Sequence, residues 1–165
     1  MKSVPHLVST LTVASALALG GCSAKEADSN DIEPGQSAEV PTSDFDSTEV
    51  LGDFLRSSID EVNVHRESES NPDFDHASDV DRLHVEFPSS GQPNTDKKAT
   101  ADAVQGAGNA EFDYDMLMVT GTTDEGTWSY MFSTDTVKDL TESGEAVEAD
   151  TVWDSADQDF DSVHR

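Results

Sequence analysis

Residues 112–132, FDYDMLMVTGTTDEGTWSYMF, decide how the fold is read. Two alternating runs flank TGTTDEG, a segment of Gly, Thr and acidic residues with turn chemistry, so the whole reads as a β-hairpin. Phe112, Tyr114, Met116 and Met118 are expected on one face of the first strand, with Trp128, Tyr130 and Phe132 on one face of the second. Facing aromatic and Met side chains form cross-strand pairs, each contributing about 0.2–1 kcal/mol. They read as core, not as a ligand platform, because a domain of this size needs its large apolar side chains inside.

Upstream of the hairpin, DFDSTEVLGDFLRSSIDEV (residues 44–62) carries the clearest helix signal. Asp46 is placed as N-cap, Glu49 three residues on completes a capping box, and Phe45 is set to pack on Val50 as a hydrophobic staple. Val50, Leu51, Phe54, Leu55, Ile59 and Val62 then mark one face at helical spacing. The next stretch is polar and holds Pro72, which argues against a continuing helix.

LHVEF (83–87) alternates with the period of a strand buried on one face. Residues 95–107 are Ala-rich and suit a helix, bounded by Gly106 and Gly108. Beyond the hairpin, DTVKDLTES reads as a short helix closed by Gly144. Val147, Ala149, Thr151 and Trp153 alternate as a last strand, and the tail from Asp154 is either a helix or loose. The order helix, strand, helix, strand, strand, helix, strand predicts a small single α+β domain over residues 43–165, a mainly antiparallel sheet with helices on one face.

The first 21 residues have another character. Lys2 supplies a positive start, and Leu7–Leu19 form an apolar run shorter than the roughly 20 residues a membrane-spanning helix needs. Small residues, Gly20 and Gly21, precede Cys22, the single cysteine of the chain, as a signal-peptidase cut requires. Leu19-Gly20-Gly21-Cys22 resembles the lipobox of bacterial lipoproteins at every position. The resemblance implies cleavage between Gly21 and Cys22, a diacylglyceryl group on the Cys22 sulfur, and further acylation, such as palmitate, at the new amine. It covers the signal peptide (1–21) only.

Lipidation would also remove the liability of a free thiol in an oxidising compartment. Two acyl chains hold a protein at a membrane stably where one does so marginally. Residues 22–42 are rich in Ser, Ala, Asp, Glu, Gly and Pro, without an aromatic residue. Such a segment cannot bury enough surface to offset its ordering entropy and reads as a flexible acidic tether. The expected location is therefore outside the cytoplasm, lipid-anchored to the cell membrane or outer membrane of a bacterium.

Chemistry-bearing motifs are few. NPDFDHASDVD offers Asp73, Asp75, Asp79 and Asp81 on a loop, the oxygen donors calcium takes in flexible geometry. Counted from Asn71, however, His76 stands where the helix-loop-helix calcium template turns sharply on Gly, and Arg82 stands where a bidentate Glu closes the shell. That departure favours a solvated loop. His65, His76 and His84 fall within twenty residues, yet they lack the i, i+4 pairing of a helical zinc motif and no thiol joins them. His84 reads as the outward face of a strand. No G-x-S-x-G elbow or phosphate-cradling loop occurs, and GAGNAE lacks the third glycine of a dinucleotide site. We expect a non-catalytic envelope lipoprotein whose domain binds a protein or other envelope component, with no cofactor. Calcium binding through Asp73, Asp75, Asp79 and Asp81 is the alternative.

The chain counts 35 acids against 9 Lys and Arg, a formal net charge of -26. Cutting before Cys22 removes Lys2 and no acid, which takes the net to -27. Neutralising phosphates takes Lys and Arg, so nucleic acid is excluded as a partner. The carboxylates either steer cations and basic partners or solvate the protein in very salty water. Their spread along the whole mature chain, the excess of Asp over Glu and the scarcity of Lys favour the second, a halophilic surface. Self-repulsion would then be screened, because the Debye length shrinks from about 10 Å at 0.1 M salt to about 3 Å at 1 M. The melting temperature, followed by calorimetry from dilute buffer to molar NaCl, is expected to rise with salt, and a flat response would remove this reading.

Overall fold

The computed structural model describes residues 44–164. The expected signal peptide (1–21), the expected cut between Gly21 and Cys22 and the expected tether (22–42) lie outside the described residues. Within them, a five-stranded sheet runs in sequence order: β1 (Asn63–Arg66), β2 (Arg82–Pro88), β3 (Met116–Thr122), β4 (Thr127–Ser133) and β5 (Gln158–Asp161). All neighbours are antiparallel except β2 and β3. A parallel pair needs a long crossover, which the helix between those two strands supplies.

The helices are α1 (Thr48–Leu55), α2 (Glu67–Ser70), α3 (Pro93–Gly108) and α4 (Thr134–Thr141), with a single 3-10 turn at Trp153–Ser155. Contacts of α1 with β1, α3 with β3 and α4 with β4 place these three helices over the sheet, while α2 packs at β1 and β2. Fold class and layer order are those expected of a small α+β domain. None of the helices is long and apolar enough to cross a membrane, among the described residues.

The core lies between the three helices and one sheet face. Leu83 and Val85 of β2, Leu117 and Val119 of β3, and Trp128 and Phe132 of β4 are fully buried there, against Leu51 and Leu55 of α1 and Val104 of α3. Small residues let α3 come close to α1, since a Cβ on Gly106 would lie 2.7 Å from Leu51.

Four expectations change in detail. First, Met116 and Met118 do not share the core face; Leu117, Val119 and Gly121 do, opposite Phe132, Tyr130 and Trp128. The reason is parity. Thr122 pairs with Thr127, which leaves an even loop, Thr123–Gly126, between them. Directly opposed residues therefore have opposite parity, and the even-numbered aromatic residues of β4 face odd-numbered partners. Phe112 and Tyr114 precede the strand and pack, half-buried, against the core.

Second, the N-cap of α1 is Ser47, whose hydroxyl accepts the Val50 N–H at 3.4 Å. Phe45 packs on Phe54, ring centroids 5.0 Å apart, and Val50 stays exposed. Third, α1 ends at Leu55, and Ile59 and Val62 reach the core from the turns beyond it.

Fourth, Val147–Trp153 is not a strand. The Val147 N–H is taken by the Gln105 side chain at 3.1 Å, and the Trp153 indole N–H donates to Thr100 at 2.9 Å. Both acceptors belong to α3, so this segment lies along that helix instead of on the sheet. The fifth strand is the polar QDFD of residues 158–161, whose Asp161 stands opposite Trp128.

Gly121 makes the hairpin possible. A Cβ there would meet the Trp128 ring at 2.3 Å, and a fully buried indole has nowhere to retreat. Gly121→Ala is expected to destabilise the protein by about 2 kcal/mol through overpacking, read as a lower urea midpoint at unchanged slope.

Candidate functional site

Three regions concentrate chemistry. The first is the sheet face turned away from the core. His65 on β1 and His84 on β2 are directly opposed, and their rings stack at 4.8 Å with planes 10° apart. Sequence spacing grouped His65, His76 and His84; strand register brings only His65 and His84 together. His76 instead meets Phe74 edge-on at 4.9 Å.

His84 Nε2 lies 3.8 Å from Glu67 Oε2, and His65 Nδ1 contacts the Asn63 amide at 3.3 Å. His84 Nδ1 is buried without a hydrogen-bond partner among the described residues. Burial, reinforced by the charge of His65, lowers the His84 pKa below 6.5 against the opposing pull of Glu86 and Glu67. In its neutral form the ring keeps a lone pair on one nitrogen. No three His, Cys, Asp or Glu side chains form a group that could hold a metal among the described residues.

The second region is the Asp-rich loop. Asp75 Oδ1 accepts the Ala77 N–H at 3.0 Å and its Oδ2 accepts the Ser78 hydroxyl at 3.1 Å. These bonds, the backbone one foremost, hold its carboxyl below the usual range. Asp79 Oδ2 accepts the Asp75 N–H at 2.9 Å. The Asp73 N–H donates to Asn71 Oδ1 at 3.0 Å. Asp81 turns toward α2, where it accepts the Ser68 N–H at 3.0 Å and hydroxyl at 2.6 Å. Asp75 and Asp79 thus brace the loop itself, and Asp81 secures it to α2.

The third region was not legible in the sequence. Beside a cleft of about 610 Å³ lined in part by Ser89, Gly91, Thr123 and Val163, a polar chain runs into the core. Ser89 donates its hydroxyl to Asp96 Oδ2 at 2.6 Å and accepts from the Trp128 indole and the Gly91 N–H, each at 3.0 Å. His164 Nε2 meets the same Asp96 oxygen at 3.0 Å, and His164 Nδ1 meets Asp161 Oδ2 at 3.0 Å. Tyr130 donates to that Asp161 oxygen at 3.2 Å.

Both imidazole nitrogens can donate at once only in the imidazolium form. Burial pushes the Asp161 carboxyl up, but N–H bonds from His164 and Val163 and the His164 ring outweigh it, so its pKa falls below 3.8. A Ser, His and two Asp in contact invite comparison with a nucleophilic site. The bonding answers otherwise: the Ser89 oxygen already donates once and accepts twice, and the His164 side chain is only 5% exposed. The network ties β5, the start of α3 and the end of β2 together. The sequence held no spacing signal for it, because Asp96 and His164 lie 68 residues apart.

Compared with known protein families, with curated proteins and with solved structures, the chain matches none.

Removing the imidazole strands two buried carboxylates. His164→Ala is expected to cost about 3 kcal/mol in denaturant unfolding, the penalty for breaking a buried ion pair. The Asp161 pKa is depressed on folding, so its contribution is complete above 3.8 and fades as the pH falls through the folded-state value. Asp161→Asn should therefore flatten the acid limb of the stability curve.

Proposed function

We propose that this chain is a lipid-anchored envelope protein, held through Cys22, whose α+β domain binds a protein or another envelope component and performs no catalysis. Leu19-Gly20-Gly21-Cys22 at the end of the apolar leader is the observation that carries the reading. The acidic segment 22–42 gives the domain reach from the anchor. The non-catalytic part is supported by the bonding of Ser89, whose oxygen has no free lone pair, and by the sealed position of His164. A binding role is supported by the outward sheet face, where Met116, Met118 and Met131 are half-buried and Phe160 is 57% exposed.

Expressed in a bacterial host, the wild-type chain should sediment with membranes, resist salt extraction and dissolve in detergent, with Cys22 carrying a diacylglyceryl group by intact-mass spectrometry. Cys22→Ala should release it to the soluble fraction. A wild-type chain that stays soluble with an unmodified residue 22 would overturn the proposal.

A further inference from the structure

The outward face of the sheet carries a pattern that no sequence spacing reveals. His65 opposes His84, His84 opposes Met118, and Met118 opposes Met131. These four residues form one row across β1, β2, β3 and β4, each step about 4.8 Å. The chain has four methionines, and all but the initiator, namely Met116, Met118 and Met131, lie on this face. The buried core is built from Leu, Val, Ile, Ala and aromatic residues and contains no Met. Met is therefore not used here as filler for irregular core gaps, its common structural role.

His84, paired in register with Met118, carries a buried Nδ1 that has no hydrogen-bond partner among the described residues. A buried polar atom without a hydrogen bond is destabilising, and a ligand bond would satisfy it. The donors that follow His84 in the row, Met118 and Met131, are soft thioethers. Glu67 stays 3.8 Å from the other ring nitrogen, and no set of three carboxylate, imidazole or thiol donors converges among the described residues. That donor set is poor for calcium or magnesium, which take oxygen, and it matches the thioether-plus-imidazole preference of monovalent copper.

We propose that His84, Met118 and Met131 form a binding site for copper(I) on the outward face of the sheet. Long, unbranched Met side chains on the two strands beyond β2 can swing their sulfurs toward the imidazole. His65 plays a different part. Two rings stacked 10° from parallel cannot both direct in-plane lone pairs at one ion between them, so His65 walls the site on the β1 side. Three neutral ligands leave the ion its single positive charge, which the field of a chain at -26 favours. The site is independent of the lipid anchor, so either proposal can fail without the other.

The test is an anaerobic titration of the full chain carrying Cys22→Ser, so that no thiol competes, with copper(I) in the presence of a chromophoric copper(I) chelator. One equivalent should be withdrawn from the chelator. Met118→Leu and Met131→Leu conserve volume on a half-exposed face and should leave the melting temperature nearly unchanged. The two changes together should weaken binding at least 100-fold, and His84→Gln should do the same. Silver(I), a redox-inert probe, should shift the methyl resonances of Met118 and Met131 in NMR spectra. Loss of binding in the Met variants at unchanged melting temperature supports the site even if His84→Gln fails to fold. No copper withdrawn by the parent chain, or equal affinity in the double Met variant, would overturn it.

Discussion

The indole of Trp128, laid across Gly121, sets conditions that much of the molecule then meets. The ring is fully buried, so its N–H must find an acceptor inside the protein. It finds Ser89, just past the end of β2. Ser89 in turn engages Asp96 in the first turn of α3, and Asp96 shares His164 with Asp161. Trp128 also packs against Phe87, Tyr130, Trp153 and His164, with ring centroids 5.6–5.9 Å apart. One residue without a side chain thereby allows an aromatic ring to bind the central strands, the crossover helix and the last strand into a single unit. Apolar packing and polar bonding meet at the same indole.

Much of this architecture can be read from residue order. The hairpin, the first helix, the Leu83–Phe87 strand and the Ala-rich helix all carry local patterns that outlast tertiary context. The face of β3 does not. In MLMV every residue is apolar, so alternation alone permits either face, and only the length of the Thr123–Gly126 loop settles which residues turn inward. The last strand is hidden for the opposite reason. QDFD has no apolar alternation because β5 pairs along only one edge and offers the core the Asp161 carboxylate instead of a methyl group. Val147–Trp153 does alternate, yet its N–H and indole groups are claimed by side chains of α3.

Chemical sites follow the same rule. A motif confined to neighbouring residues, such as the lipobox-like Leu19–Cys22 or the Asp-rich loop, can be seen in the sequence, whereas a site assembled by strand register cannot. His65 and His84 are nineteen positions apart in the chain and stacked in space. Met118 and Met131 come level with them only because the β2–β3 and β3–β4 registers align. In the loop, by contrast, proximity in sequence overstated convergence in space, since Asp81 leaves its neighbours to bond Ser68.

Both borders of the sheet are short, four residues in β1 and four in β5. Exposed strand borders invite edge-to-edge aggregation, and charges are a common defence. A defence made only of outward carboxylates would weaken in brine, where repulsion is screened within a few ångströms. Asp161 points inward and is held by His164 and Tyr130. A second copy zipping onto β5 would have to accommodate that fixed carboxylate and the abrupt end of the strand. This barrier against self-association is steric and geometric, so dissolved salt does not erase it.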